Sequence, residues 1–197
     1  MNGKTIVLDN GSSICRAGFA GESMPRSIIP SVVARVRKSI DIYGVCSDIY
    51  IGNNVYWKAG ILSLKYPIEY GVVTNWEDME KIFNFQFFHD LKVQTDEHGV
   101  LLTESVPINK LNRKKLVELM FELYNVPSFY IESQSVLSML ASKSLTGLSF
   151  TSGEGLTQVV PVYEGYKIPH AIKTSKIAGK VLNDFLNHQL RERGHLF

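Results

Sequence analysis

With 197 residues, 45% hydrophobic and 20% charged, the chain has an ordinary globular composition and the length for one large domain or two small ones. Lys and Arg number 21 against 19 Asp and Glu, and the net charge of +2 gives no electrostatic case for a nucleic-acid-binding or membrane-surface protein. Two cysteines, Cys15 and Cys46, exclude a disulfide framework; the start MNGKTIVLDNG lacks the features of a signal peptide, and no apolar run approaches the roughly 18 residues that cross a bilayer, so the expectation is a soluble chain of a reducing compartment.

Lys4 to Leu8 and Ile14 to Phe19 are short apolar runs separated by Asn-Gly and two serines, which predicts a β-hairpin. Ser27 to Val33 reads as a third strand, and Arg35 to Asn54, without a steady period, reads as an excursion that is mobile or ordered by a partner. Thr74 and Glu77 have capping-box spacing, and Met79, Ile82, Phe83 and Phe87 follow at helical intervals. Strand and helix then alternate: Val100 to Glu104, a helix over Asn112 to Leu123, the strand SFYIE, and a helix over Ser133 to Ser142. Three hairpin-linked strands followed by this alternation predict an α/β architecture with a mixed sheet flanked by helices.

From Gly147 to Tyr163 the chain repeats its opening pattern, an apolar run, a Ser/Gly/acid turn and a second apolar run, with little residue identity to the first. A third strand is expected over Ile168 to Lys173 and a helix from Ala178 to Arg193, stopped by Gly194. Two sheet units, each opening with a Gly/Ser hairpin turn, are what two phosphate-binding loops would look like, although turn chemistry alone favours plain hairpins, since Asn-Gly and Ser-Gly turns are common.

The stretch DNGSSICRAGFAGESMPRSIIPSVVAR resembles the first segment of actin. LKYPIEYGVVTNWEDMEKI, LLTESVPINKLNRKKLVELMFELYNVPSFYIESQSVLSMLAS and VPVYEGYKIPHAI continue the likeness in order over nearly the whole chain. The resemblance implies an actin-like ATPase fold of duplicated ribonuclease-H-like units. The first unit covers 1–34 and 67–145, a small inserted subdomain covers 35–66, and 146–197 begin a second unit that the family completes beyond Phe197. It also implies ATP or ADP with Mg2+ held between the two hairpins. Asp9 would face the metal through water, the backbone of Gly11, Ser12, Ser13 and Ile14 would surround the phosphates, and Arg16 stands where the family has a phosphate-contacting lysine. Gly153, Glu154, Gly155 and Leu156 would form the opposing loop.

The physical chemistry of those residues agrees, since successive turn amides make an anion nest and a carboxylate suits a hydrated magnesium ion. Arg for Lys widens the cationic head, and Ser13 in place of a glycine threatens crowding or backbone strain. Of the three groups that orient the family's lytic water, the glutamine is present as Gln134, but Thr151 and Gln158 replace the aspartate and histidine. Acid–base groups of that kind contribute about 10²- to 10⁴-fold in rate, so at most a slow ATPase is expected.

Tyr70 replaces a histidine that is methylated in conventional actins, and KSIDIYGVCSDIY departs from the family's inter-subunit loop. The resemblance therefore points to a structural subunit of a filament or larger cytoskeletal assembly. Its partners would be other actin-like subunits or actin-binding proteins, with no direct nucleic-acid contact and no membrane insertion. The alternatives are a conventional filament-forming ATPase and a subunit of a nuclear chromatin-remodelling complex; a sugar kinase of the same superfold is the least favoured. The five histidines, His89, His98, His170, His188 and His195, show no metal-ligand spacing. Trp57 and Trp76 read as core or interface anchors, and Cys15 as a small apolar filler.

Overall fold

A computed structural model describes residues 3–37, 49–58, 60–106 and 109–195. The chain divides into two units, Met1–Thr103 with Asn109–Ile131, and Glu104–Ile108 with Glu132–Phe197.

The first unit begins with β1 (Ile6–Asn10) and β2 (Ile14–Phe19), the antiparallel hairpin anticipated from the apolar runs around Asn-Gly, with Asp9 opposite Arg16 and Asn10 opposite Cys15. The expected third strand is in fact two. β3 (Ser27–Pro30) pairs with β2, whereas β4 (Val33–Val36) leaves for a separate sheet, because Pro30 ends the ladder and the chain bends at Ser31, whose amide donates to the Ser13 carbonyl at 2.8 Å.

The second sheet corrects the reading of Arg35 to Asn54 as a patternless excursion. β5 (Ile49–Ile51) and, beyond the short helix α1 (Asn54–Trp57), β6 (Leu62–Lys65) flank β4 on its two edges. Val32, Ala34, Val55 and Leu62 close a small core of their own. Residues 38–48 of that stretch, Cys46 among them, lie outside the described residues. A tight ribbon follows, β7 (Ile68–Glu69) and β8 (Val72–Val73), turned by Tyr70 and Gly71, whose φ values are 51° and 75°. Two positive φ angles in succession mark the turn whose twist suits a two-residue hairpin.

Helix α2 (Trp76–Asn84) is capped by Asn75, whose side chain accepts from the Asp78 amide at 3.0 Å; the Thr74–Glu77 box does not form, because the helix starts one residue later than that spacing implies. Its apolar face carries on through a π-helical stretch, Phe85–Leu91. β9 (Val100–Glu104) lies parallel to β1. Helix α3 (Lys110–Glu118) also passes into a π turn, at Leu119–Leu123, and β10 (Phe129–Ser133) completes a five-stranded sheet in the order β10-β9-β1-β2-β3.

Ile6, Leu8, Cys15 and Ala17 from the strands meet Met79, Ile82, Phe83 and Phe87 from α2 and its extension, Leu116 from α3 and Met120 from the π turn after it. Tyr124 packs edge-on against Phe83 and donates its hydroxyl to Asn84 Oδ1 at 3.0 Å, so a polar tip closes an otherwise apolar layer. Phe85 stacks on His89, whereas Phe88 is half exposed. Trp76 packs against the core, but Trp57 is 89% exposed.

The second unit contains α4 (Gln134–Ala141) and a sheet begun by the hairpin β11 (Gly147–Ser152) and β12 (Thr157–Tyr163). β12 also pairs with β13 (Tyr166–Lys167) and with β14 (Lys173–Ser175). The single strand expected over Ile168 to Lys173 is thus interrupted by a 3-10 turn at Pro169–Ala171, since Pro169 has no amide to give to a ladder. Helix α5 (Gly179–Glu192) ends before Gly194, which has a φ of 83°. Val136, Val160 and Val162 are the centre of this unit's core.

One ion pair ties the small sheet of the first unit to α2. Asp78, 1% exposed, receives Arg35 on both carboxylate oxygens and Asn75 Nδ2 on Oδ2 at 3.2 Å. Arg35→Ala would leave the buried carboxylate without its main counter-charge, at a cost of about 3 kcal/mol. Asp78→Ala leaves a guanidinium that reaches water, at about 2 kcal/mol. Urea unfolding of the two variants should rank them in that order.

Candidate functional site

The first hairpin turn is set by backbone contacts. The Gly11 amide donates to the Ile14 carbonyl at 3.0 Å, and a side chain at Gly11 would place its Cβ 2.8 Å from that same oxygen. The close approach, rather than a left-handed φ, is what reserves this position for glycine. Ser13 lies outside the left-handed region as well, so the anticipated strain at this residue is absent. Ser12 Oγ accepts from the Gly71 amide at 3.2 Å, which pins the turn to the β7–β8 ribbon and leaves the hydroxyl proton to donate elsewhere. The Gly11 amide is used to close the turn.

Beside the turn, Asp9 and Arg16 are cross-strand neighbours on one face of the hairpin. Arg16 Nη1 donates to Asp9 Oδ2 at 3.2 Å, and the side chains are 45% and 30% exposed. Thr103 Oγ1, from β9, donates to Asp9 Oδ1 at 2.6 Å. Asp9 and Arg16 open onto a hollow of about 340 Å³ whose far rim is Gly21, Glu22, Ser23 and Met24. Thr103 was not among the residues singled out from sequence; its signal was a hydroxyl at the end of the apolar run VLLTE, one position beyond the Leu8–Leu102 pair.

The second turn is closed in the same manner, with the Gly153 amide donating to the Leu156 carbonyl at 3.0 Å between the paired residues Ser152 and Thr157. Its carbonyls do a further task. Gly153 O and Glu154 O accept from the Gly179 and Lys180 amides, each at 2.9 Å, so the turn caps α5, where the N-cap residue Ala178 has no side chain able to do so. A Cβ on Gly179 would come within 2.8 Å of Glu154 Oε2 and 3.2 Å of Gly153 O, so a side chain here would have to displace the Glu154 carboxylate and press on the turn. Thr157 Oγ1 adds a bond to the Ile177 carbonyl at 2.7 Å.

Gln134 is the first residue of α4, half-buried. Thr151 and Gln158 face each other across β11 and β12. Gln158 is 3% exposed, and its Oε1 accepts from the Val106 amide at 3.1 Å, so its carboxamide holds the segment after β9. A neutral hydroxyl and an amide occupied in this way supply neither an anion nor a proton relay.

Cys15 is buried behind the first turn, and burial pushes its thiol up to about 12. Among the described residues no group of three or more His, Cys, Asp and Glu gathers as a direct metal cage, and no helix is long and apolar enough to cross a membrane.

The family model described as actin matches residues 2–196.

Gln158→Leu, which strands the Val106 amide, should lower stability by about 2 kcal/mol in thermal or urea melts. Cys15 should resist iodoacetamide at pH 8 in the folded chain and react after denaturation, as read by mass spectrometry of its peptide.

Proposed function

The chain belongs to the actin family, and from that premise we propose that it is an actin-like structural subunit. It binds Mg-ATP or Mg-ADP through its two hairpin turns and works in a filament or a larger cytoskeletal assembly, with weak or absent hydrolysis. The observation that carries the reading is the first hairpin, where a carboxylate and a guanidinium stand side by side next to a turn that admits only glycine at its first residue.

The donor set suits the ligand. Arg16 offers a planar, permanently charged fork to phosphate oxygens, and the turn amides with the Ser12 hydroxyl add neutral donors. Magnesium keeps most of its waters and takes few carboxylates, so Asp9 meets its need through the hydration shell while phosphates supply the rest. Bound magnesium would neutralise phosphate charge. The amides of Glu154, Gly155 and Leu156 are assigned to phosphate contact as well, as the resemblance implies.

Gln134 is assigned to hold a water for attack. Thr151 and Gln158 give that water no base, which is why turnover is placed below that of conventional actin. The same substitutions leave binding intact and favour a subunit whose nucleotide stabilises its fold. Partners are other actin-like subunits or actin-binding proteins, and the compartment is the cytoskeleton of the cytoplasm.

Native mass spectrometry in magnesium should find one ATP or ADP per chain, and Arg16→Ala should lose it. Phosphate release under polymerising conditions should run at least about 10²-fold slower than for conventional actin. An equal rate would overturn the weak-hydrolysis reading in favour of an ordinary filament ATPase. Sedimentation with Mg-ATP separates a filament, which pellets alone, from a complex subunit, which pellets only with its partner.

A further inference from the structure

Both oxygens of the Asp9 carboxylate are held, and by donors of different character. Thr103 Oγ1 donates to Oδ1 at 2.6 Å from β9, while Arg16 Nη1 donates to Oδ2 at 3.2 Å from β2. The two donors flank β1 on opposite edges, since β1 pairs with β2 on one side and β9 on the other.

We propose that Thr103 is a positioning residue for the divalent cation, fixing the Asp9 carboxylate so that Oδ2 stays turned toward the ligand. This rests on the nucleotide reading above. Threonine is β-branched and stiff at χ1, and here it sits at the end of a strand paired in register with β1. Its single hydroxyl proton is directed into Oδ1, which restrains rotation of the carboxylate.

Arg16 is the opposite case. It is long, nearly half exposed, and carries five donors, so it can move from Oδ2 to a phosphate oxygen when one arrives. Thr103 then holds Asp9 through that exchange. The carboxylate keeps one fixed hydrogen bond while its outer oxygen passes from a guanidinium to the waters of a metal ion. Groups that orient a metal-facing ligand in this way typically cost about 10- to 100-fold in metal affinity when removed.

The test uses Thr103→Val, nearly isosteric without the hydroxyl, and Thr103→Ser, which keeps it, each with circular dichroism to verify folding. Mn2+ is titrated in the presence of ADP and free Mn2+ is read by electron paramagnetic resonance; ADP affinity without metal is measured alongside. Thr103→Val should weaken Mn2+ about tenfold with metal-free ADP affinity unchanged, and Thr103→Ser should stay within about twofold of the unmodified chain. Unmodified Mn2+ affinity in Thr103→Val, or equal losses in both variants, overturns the proposal.

A second readout needs no nucleotide. The Arg16 guanidinium chemical shifts of labelled protein should move in Thr103→Val and stay in place in Thr103→Ser; no difference from the unmodified chain in Thr103→Val overturns the hold of Thr103 on Asp9. If the unmodified chain binds no Mn2+ with ADP, the nucleotide reading and the cation role fall together. The guanidinium signals then report whether the Thr103–Asp9 contact alone stands.

Discussion

β1 is paired on both of its edges, antiparallel to β2 and parallel to β9, and this central placement governs the first unit. A strand with both edges satisfied buries Ile6 and Leu8 completely and leaves Asp9, on the alternate face, partly open where the core ends. The polarity of the hairpin end is therefore a product of the alternation that builds the core. Arg16 and Thr103, which donate to the two oxygens of Asp9, are each brought there by one of the two ladders, so the pairing of β1 sets where that carboxylate is held.

The two turns solve a similar backbone problem with different supports. Each closes by a glycine amide donating across the turn, yet the first is braced by Gly71 and Ser31 and the second by the opening amides of α5. In the second case the bracing runs both ways, because the helix would otherwise begin with unpaired amides. Glu154 thereby gains a structural role through its carbonyl, in addition to any role of its side chain.

Much of the fold was legible in the amino-acid pattern. Alternating burial along β1 and β12 and the i, i+3, i+4 spacing of Met79, Ile82 and Phe83 fix strand and helix by local periodicity, which needs no tertiary information. The failures fall where a non-local pairing decides. Val33 was read with Ser27 to Pro30 because the run SIIPSVV is mostly apolar, but its partners are Ile51 and Lys65, far along the chain. At α2 the cap is Asn75 rather than Thr74, and the same residue also donates its side-chain amide to Asp78, whose carboxylate is paired with Arg35 43 positions away. At the candidate site, Asp9, Gly11 and Arg16 were legible because they lie in one hairpin. Thr103 was not, because only the parallel ladder brings it to Asp9, and the structural use of Gln158 was hidden for the same reason.

The Thr103–Asp9 bond joins positions 94 apart in the chain. Local contacts form early in folding and distant ones late, because a long loop must close before its contact repays the lost entropy. The β1–β2 hairpin, with Asp9 already opposite Arg16, belongs to the first class, and the β9 ladder to the second. A nascent chain would thus carry a paired acid and base well before it carries an oriented carboxylate. On the proposed reading, competence to receive a metal ion would come only with the β9 ladder, and ligand capture would then report on folding itself.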